Sequence, residues 1–95
     1  MRGQLILDDG AVEVLRKKGR SLLPVGVKAV NGKFTRGDMV ACLTPGGEEI
    51  ARGLINYNSE ECAKIIGQAS EKIIEILGYR DNEELIHRDN LVLSN

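Results

Sequence analysis

Glycine and proline interrupt the middle of the chain at short intervals, and this spacing constrains the fold more than any other feature. Between residues 24 and 57, Asn31-Gly32, Gly37-Asp38 and Pro45-Gly46-Gly47 separate apolar stretches that are too short for ordinary helices. Short apolar stretches between turn residues are typical of strands in a small barrel or sandwich. The spacing therefore predicts closely connected β structure, and we expect a small barrel.

Five segments have the composition of strands: 4–8, 25–30, 39–43, 50–57 and 84–93. Val25, Val27 and Ala29 alternate with other residues up to Asn31-Gly32, which is a strong signal for a hairpin or another tight turn. The last segment, "ELIHRDNLVL", includes the single histidine, His87. We expect that side chain to orient the end of a strand by hydrogen bonding.

Helical patterns occupy the rest of the chain. The first predicted helix spans 9–18, with Asp8 or Asp9 as its N-cap and Gly19 at its C-terminal end. Two more are predicted over 59–66 and 70–77, after Tyr57, with capping residues before them and glycines behind them. Their isoleucines fall at helical spacing and are expected to face the core. The predicted fold is a single α+β domain over residues 1–95, mainly β with short flanking helices.

Positive charge is concentrated near Gly19. The net charge is −1, but residues 1–58 carry nine Lys and Arg against six Asp and Glu, and residues 59–95 carry four against eight. Arg16, Lys17, Lys18 and Arg20 all surround Gly19. Cations in the last turn of a helix complement its dipole and need no partner. A local basic patch can equally bind phosphate, and both interpretations stay open.

Residue patterns for catalysis or metal binding are missing from the sequence. Cys42 and Cys62 lie too far apart for a zinc motif, and we expect both to be small buried groups. No phosphate-binding loop and no nucleophile with a matching base is found in the sequence. We therefore predict neither a catalytic site nor a metal site in this chain. There is also no signal peptide or membrane-spanning segment in the sequence, and the cytoplasm is the expected location.

Four quoted segments together resemble a known family: "LILDDGAVEVLRKKGRSLLPVGV", "GKFTRGDMV", "EIARGLINYNS" and "IIEILGY...ELIHRDNLVL". In order and spacing they are similar to the PUA domain that forms the C-terminal part of glutamate 5-kinases. The resemblance implies a mixed-sheet pseudo-barrel with short helices. It also implies a parent enzyme of proline biosynthesis that phosphorylates the γ-carboxylate of glutamate with ATP and Mg²⁺. The kinase domain would precede this segment, and no cofactor is expected here.

The resemblance also suggests a binding surface. In RNA-binding relatives, the loop from the first helix into the second strand and residues of the last strand contact RNA. The residues that match these positions are Lys18, Gly19, Arg20, Ser21, His87 and Arg88. The neighbouring cation Lys17 is added to them as a further binding candidate. Expected partners are the kinase domain of the same chain and, as an alternative, RNA; the parent is expected to be a homo-oligomer that does not bind membranes.

Two hypotheses about function follow. The domain regulates or assembles the kinase, or it binds RNA through the Gly19 loop. Single-stranded RNA is commonly recognised by stacking on aromatic side chains, but the chain has only Phe34, Tyr57 and Tyr79. If RNA binds, contacts to its backbone and shape should dominate. We favour the regulatory role.

Overall fold

The computed structural model describes residues 2–94 and shows a mixed sheet with short helices around it. The strands are β1 (Gly3–Leu7), β2 (Val27–Gly32), β3 (Met39–Leu43), β4 (Glu49–Leu54) and β5 (Leu91–Leu93). The helices are α1 (Asp9–Lys18), α2 (Ser59–Ile65) and α3 (Ile73–Leu77), and short 3₁₀ turns span Pro24–Gly26, Ser70–Lys72 and Arg88–Asn90. The predicted α+β class is confirmed.

The sheet has the strand order β2-β1-β3-β4-β5. β1 pairs parallel with β3, and the other neighbours pair antiparallel. The edges of the sheet are thus β2 and β5. An antiparallel bridge between Leu22 and Ile86 joins the segments that lead into these two edge strands. Leu22 donates its N–H to the carbonyl of Ile86 at 2.9 Å, and Leu85 donates to the carbonyl of Leu22 at 2.8 Å. This bridge brings the two edges together at one end, as a pseudo-barrel requires.

The core is apolar and continuous between the sheet and the helices. Its fully buried side chains include Leu5, Leu22, Ile65, Ile86 and Tyr57. Cys42 and Cys62 are free and completely buried within it, as the sequence predicted. Burial raises the pKa of both thiols to about 12, because desolvation disfavours the thiolate. Neither sulfur is therefore a reactive nucleophile at neutral pH.

Local capping explains why the helices lie where the sequence predicted them. The Asp8 carboxylate accepts a hydrogen bond from the Ala11 N–H at 2.7 Å, and Gly19 ends α1 in the left-handed conformation with φ of 57°. Asn58 and Glu61 form a reciprocal capping box at the start of α2. The predicted helix 70–77 divides into a 3₁₀ turn, Ser70–Lys72, followed by α3.

The second strand differs from the prediction at both ends. β2 begins at Val27 rather than Val25, because Pro24–Gly26 forms a 3₁₀ turn before it. Asn31-Gly32 is not a hairpin turn: Gly32 pairs with Gly3 of β1, at the end of the strand. The turn prediction was wrong because it assumed that β2 pairs with the strand after it, whereas β2 pairs with the strand before it.

Two further strand predictions were too long. β4 ends at Leu54 rather than Tyr57, and only Leu91–Leu93 of the predicted strand 84–93 is a strand. The Tyr57 ring turns into the core, and its hydroxyl donates to the Asn82 carbonyl at 2.5 Å and accepts from the Asn82 N–H at 3.2 Å. Within the predicted strand, Glu84 and Leu85 accept hydrogen bonds from Asn56, and Arg88–Asn90 forms a 3₁₀ turn, so a regular strand begins only at Leu91.

Candidate functional site

A surface groove of about 620 Å³ brings together most of the predicted binding residues. The residues that line it are Val14, Lys18, Arg20, Ser21, Leu23, Glu84, His87 and Arg88. Five of the seven sequence candidates are among them; Lys17 and Gly19 are not. The volume lies within the range of pockets that hold small ligands.

Hydrogen bonds between distant segments hold the two sides of the groove in register. The Leu22–Ile86 bridge lies directly behind it. In addition, the Arg88 N–H donates to the Ser21 hydroxyl oxygen at 2.8 Å, across a separation of 67 residues. Ser21 and His87 are half-buried, and Lys18, Arg20 and Arg88 are exposed. The groove is therefore a consequence of how the two edges of the sheet meet.

The groove is positively charged. Within residues 2–94, Lys18, Arg20 and Arg88 have no acidic side chain within ion-pair distance. Glu84 contributes the one carboxylate among the lining residues. Three cations against one carboxylate give a site that favours anions.

Neighbouring cations on α1 are used differently. Lys17 pairs with Glu13 at 2.7 Å and Arg16 pairs with Glu48 at 3.3 Å. Both lie outside the groove, although they share the last turn of α1 with Lys18. Ion pairing and the favourable interaction with the helix dipole are sufficient to explain why Arg16 and Lys17 are cations. Lys18 and Arg20 are the cations that the fold leaves facing the groove.

The end of α1 explains why position 19 is a glycine. Its φ of 57° is the left-handed conformation that ends α1, and nothing lies within 4 Å of the position that a Cβ would occupy. Glycine is needed here for the turn, because other L-residues pay a steric penalty in that conformation. A close approach of a ligand to this backbone is possible in the open space, but the helix end alone accounts for the residue.

His87 caps the turn that leads into β5. Its Nδ1 accepts a hydrogen bond from the Asp89 N–H at 3.1 Å, at the start of the Arg88–Asn90 turn. The Asp89 carboxylate lies 3.5 Å from the same nitrogen. This agrees with the expectation that His87 orients the end of a strand.

An apolar notch next to the groove was not predicted. It has a volume of about 240 Å³, lies between α1 and the Pro24–Gly26 turn, and shares Val14, Ser21 and Leu23 with the groove. Leu23 and Val25 are 41% and 53% exposed beside it. The sequence pattern had placed Val25 in a strand. Pro24 was the signal that the chain turns before the strand begins.

Neither a metal-binding cluster nor a membrane-spanning helix is found in the part of the chain that the structure describes. Over residues 2–94, no group of three or more His, Cys, Asp or Glu side chains could hold a metal ion. The groove presents cations, which do not bind Mg²⁺. None of the helices between residues 2 and 94 combines the length and the apolar composition that crossing a membrane requires.

Comparison with known proteins identifies the family. The model of the PUA domain family matches residues 3–77, and the chain belongs to this family. The match includes the Lys18–Ser21 side of the groove and ends before His87 and Arg88.

Similar proteins of known name are longer. The chain is 69% identical over 93 residues to a glutamate 5-kinase of Teredinibacter turnerae, and 59% identical over 93 residues to one of Pseudomonas aeruginosa. Each alignment covers 98% of this chain and 25% of the relative. The chain therefore spans about a quarter of the length of these relatives.

Solved structures have the same fold. A PUA domain from Aeropyrum pernix, crystallised as a tartrate complex, superposes with a TM-score of 0.66 at 25% identity, covering 92% of this chain and 42% of that one. A chain of an H/ACA ribonucleoprotein bound to a substrate RNA superposes with a TM-score of 0.61 at 27% identity, covering 65% of this chain and 19% of the other.

Proposed function

We propose that this domain is the non-catalytic PUA module of a glutamate 5-kinase and acts as a regulatory or ancillary part of that enzyme. The observation that carries the proposal is the identity of 59–69% to glutamate 5-kinases over nearly the whole chain. The parent enzyme would phosphorylate the γ-carboxylate of glutamate with ATP and Mg²⁺ in proline biosynthesis, in the cytoplasm and as a homo-oligomer. Its kinase domain is the expected partner of this module.

The residues of this chain support a role without chemistry of its own. Both thiols are buried and protonated, and the described carboxylates form no metal-binding cluster. ATP and Mg²⁺ would therefore be held by another part of the parent. The contribution of this domain would come from its surface and from its contacts with the kinase domain.

The experiment compares three proteins: this chain alone, a full-length glutamate 5-kinase that carries it, and the same enzyme without it. ATP-dependent phosphorylation of glutamate is expected from the two kinases and not from the chain alone. Loss of the module should change inhibition by proline or the requirement for Mg²⁺. Turnover by the isolated chain would contradict the proposal, and so would a truncated enzyme with unchanged regulation.

RNA binding is a second candidate, favoured by the groove itself. Lys18, Arg20 and Arg88 face one surface without acidic partners among the described residues. The structural neighbour in an H/ACA ribonucleoprotein supports the same idea. A gel-shift titration at two salt concentrations tests it, since binding through phosphates weakens steeply with salt. Tight, salt-sensitive binding would favour RNA over a purely regulatory role.

A further inference from the structure

We propose that the kinase domain of the parent enzyme docks on the outer side of the sheet, next to the point where the chain enters β1. The exposed apolar side chains of this surface are Met39, Leu54 and Val92, and we call it the entry face. The inference rests on the proposed function, because it takes the kinase domain as the partner. The residues that carry it differ from those that line the basic groove.

Strand pairing places the three apolar side chains on the same side of the sheet. On β4, Arg52 and Leu54 are exposed and the residue between them is buried, since alternate side chains of a strand point to opposite sides. Met39 pairs with Leu54, and Val92 pairs with Arg52. Directly paired residues share one side of a sheet. Met39, Leu54 and Val92 are therefore neighbours, and they are 38%, 38% and 63% exposed.

The charge among these side chains is neutralised within the domain. The Arg52 guanidinium donates to one Glu49 carboxylate oxygen from Nε at 3.1 Å and from Nη2 at 2.8 Å. The aliphatic part of Arg52 then adds apolar surface between Leu54 and Val92. Adjacent exposed apolar side chains, unlike single ones, indicate a surface that contacts another protein.

The chain enters the fold beside the entry face. Because β1 pairs parallel with β3, both strands begin at the same end of the sheet, and antiparallel β4 ends there. The Arg2 N–H donates to the Met39 carbonyl at 3.2 Å. Arg2 also lines an open groove of about 560 Å³ together with Gly37, Asp38, Met39 and Leu54. A kinase domain that precedes residue 2 is thus connected to the module next to this surface.

A connected domain suits a surface of this size better than a second copy of the module does. Three partly exposed side chains provide less than the roughly 1,200 Å² that a stable interface between separate proteins buries. Domains of one chain need less, because their connection keeps them at a high effective concentration. Contacts between such domains are also more polar than permanent interfaces, and Arg2 and Asp38 supply charged groups at the edge of the entry face.

Cysteine labelling of a full-length glutamate 5-kinase that carries this domain tests the proposal. Leu54→Cys and Met39→Cys place a thiol on the entry face. Ile76→Cys, on α3, is the matched control, because all three native side chains are 38% exposed in the domain. Cys42 and Cys62 are fully buried and should not react while the domain is folded. Mass spectrometry of the peptides measures the rate at which a maleimide labels each site.

The two thiols on the entry face should be labelled about tenfold more slowly than that of Ile76→Cys, which corresponds to docking for about nine-tenths of the time. Adding Leu54→Asp should raise the labelling rate of Met39→Cys to that of the control, because a carboxylate opposes burial. Adding Ile76→Asp should leave that rate low. Equal rates at all three sites overturn the proposal, and so does a Met39→Cys rate that Leu54→Asp does not change.

A photo-crosslinking amino acid in place of Val92 identifies the partner. Crosslinks to peptides of the kinase domain support the proposal, and crosslinks only to the same module of a second copy overturn it. Labelling and catalysis are independent measurements. Fast labelling of the entry face would refute the contact and leave the regulatory role standing. A truncated kinase with unchanged regulation would refute the regulatory role and leave the contact standing.

Discussion

The loop between α1 and β2 has two halves with opposite properties. Gly19, Arg20 and Ser21 are exposed or half-buried, and their main long-range contact is the hydrogen bond from Arg88 to Ser21. Residues 22–26 are anchored: Leu22 and Pro24 are buried, the Gly67 N–H donates to the Pro24 carbonyl at 2.8 Å, and the Asp8 N–H donates to the Gly26 carbonyl at 2.9 Å. The two halves are adjacent in sequence, but residues 19–21 lie at the surface, whereas the backbone of residues 22–26 is tied to the rest of the domain by hydrogen bonds.

Pro24 and Gly26 lie in the anchored half of the loop, and each has a structural role there. Pro24 starts a 3₁₀ turn, where its fixed φ is suitable. A Cβ on Gly26 would lie 2.6 Å from the Ala11 Cβ, so glycine lets the turn pack directly on α1. Neither residue lines the basic groove. Their role is to hold residues 22–26 against the rest of the domain, and this anchored segment directly follows Arg20 and Ser21 in the chain.

Replacing Leu22 by alanine tests the anchored half and should have the largest effect on stability. Leu22 is 1% exposed and lies at the bridge that joins the two edges of the sheet. We expect the free energy of unfolding in urea to fall by about 2–5 kcal/mol, the usual cost of a buried leucine. The adjacent Leu23 is 41% exposed, so Leu23→Ala is the matched control and should cost less than about 1 kcal/mol. Equal losses would contradict the conclusion that burial of Leu22 anchors this half of the loop.

Gly26→Ala should come next, because its new methyl group would overlap with Ala11. Overpacking of this kind costs about 1–3 kcal/mol. A double-mutant cycle checks the mechanism: Ala11→Gly alone costs about 1 kcal/mol as a helix glycine, but it should recover part of the stability in the Gly26→Ala background. Strict additivity of the two changes would show that this contact is not the cause.

Gly19→Ala should reduce stability by about 1 kcal/mol, because the new side chain must adopt a positive φ. Gly10 provides a control on the same helix. It lies in the first turn of α1 and has room for a Cβ, whose nearest neighbour would be the Asp8 carboxylate oxygen at 3.5 Å. Gly10→Ala should therefore leave stability unchanged or raise it by up to about 1 kcal/mol. Thermal unfolding of the two variants measures whether each substitution lowers or raises stability. A Gly19→Ala variant as stable as wild type would contradict the prediction, because it would mean that the backbone at residue 19 can leave the positive φ.

The smallest effect on stability is expected from the double substitution Lys18→Glu, Arg20→Glu in the exposed half. The free energy of unfolding should change by less than about 0.5 kcal/mol, while binding of RNA or another polyanion should be nearly abolished. Lys28→Glu, Lys64→Glu is the control with equal change in net charge, since both lysines are exposed and lie outside the groove. If the control loses binding equally, total charge and not the groove is responsible.

Local chemistry was sufficient to predict the helices. The ends of α1, α2 and α3 depend on residues within a few positions, such as Asp8, Asn58, Gly19 and Gly78. Short-range hydrogen bonds and backbone preferences act alike in any surrounding fold. Burial of Cys42 and Cys62 was expected for a different reason, because free cysteine is among the most buried residue types. Among the groove residues, Lys18 and Arg20 were also indicated by the cluster of cations around Gly19, whereas Ser21, His87 and Arg88 were candidates only through the family resemblance.

Pairing between distant segments was decided only by the tertiary structure. Asn31-Gly32 has the local chemistry of a hairpin turn, yet it lies at the end of a strand because β1 is its partner. Likewise, Glu13 lies four residues before Lys17 and can pair with it on the helix, but no residue near Lys18 in sequence indicates that it faces a groove with Arg88. The sequence by itself determined which segments become helices and which residues are cations. The tertiary structure decided which strands pair and which cations share a groove, because both depend on contacts between segments that are distant in sequence.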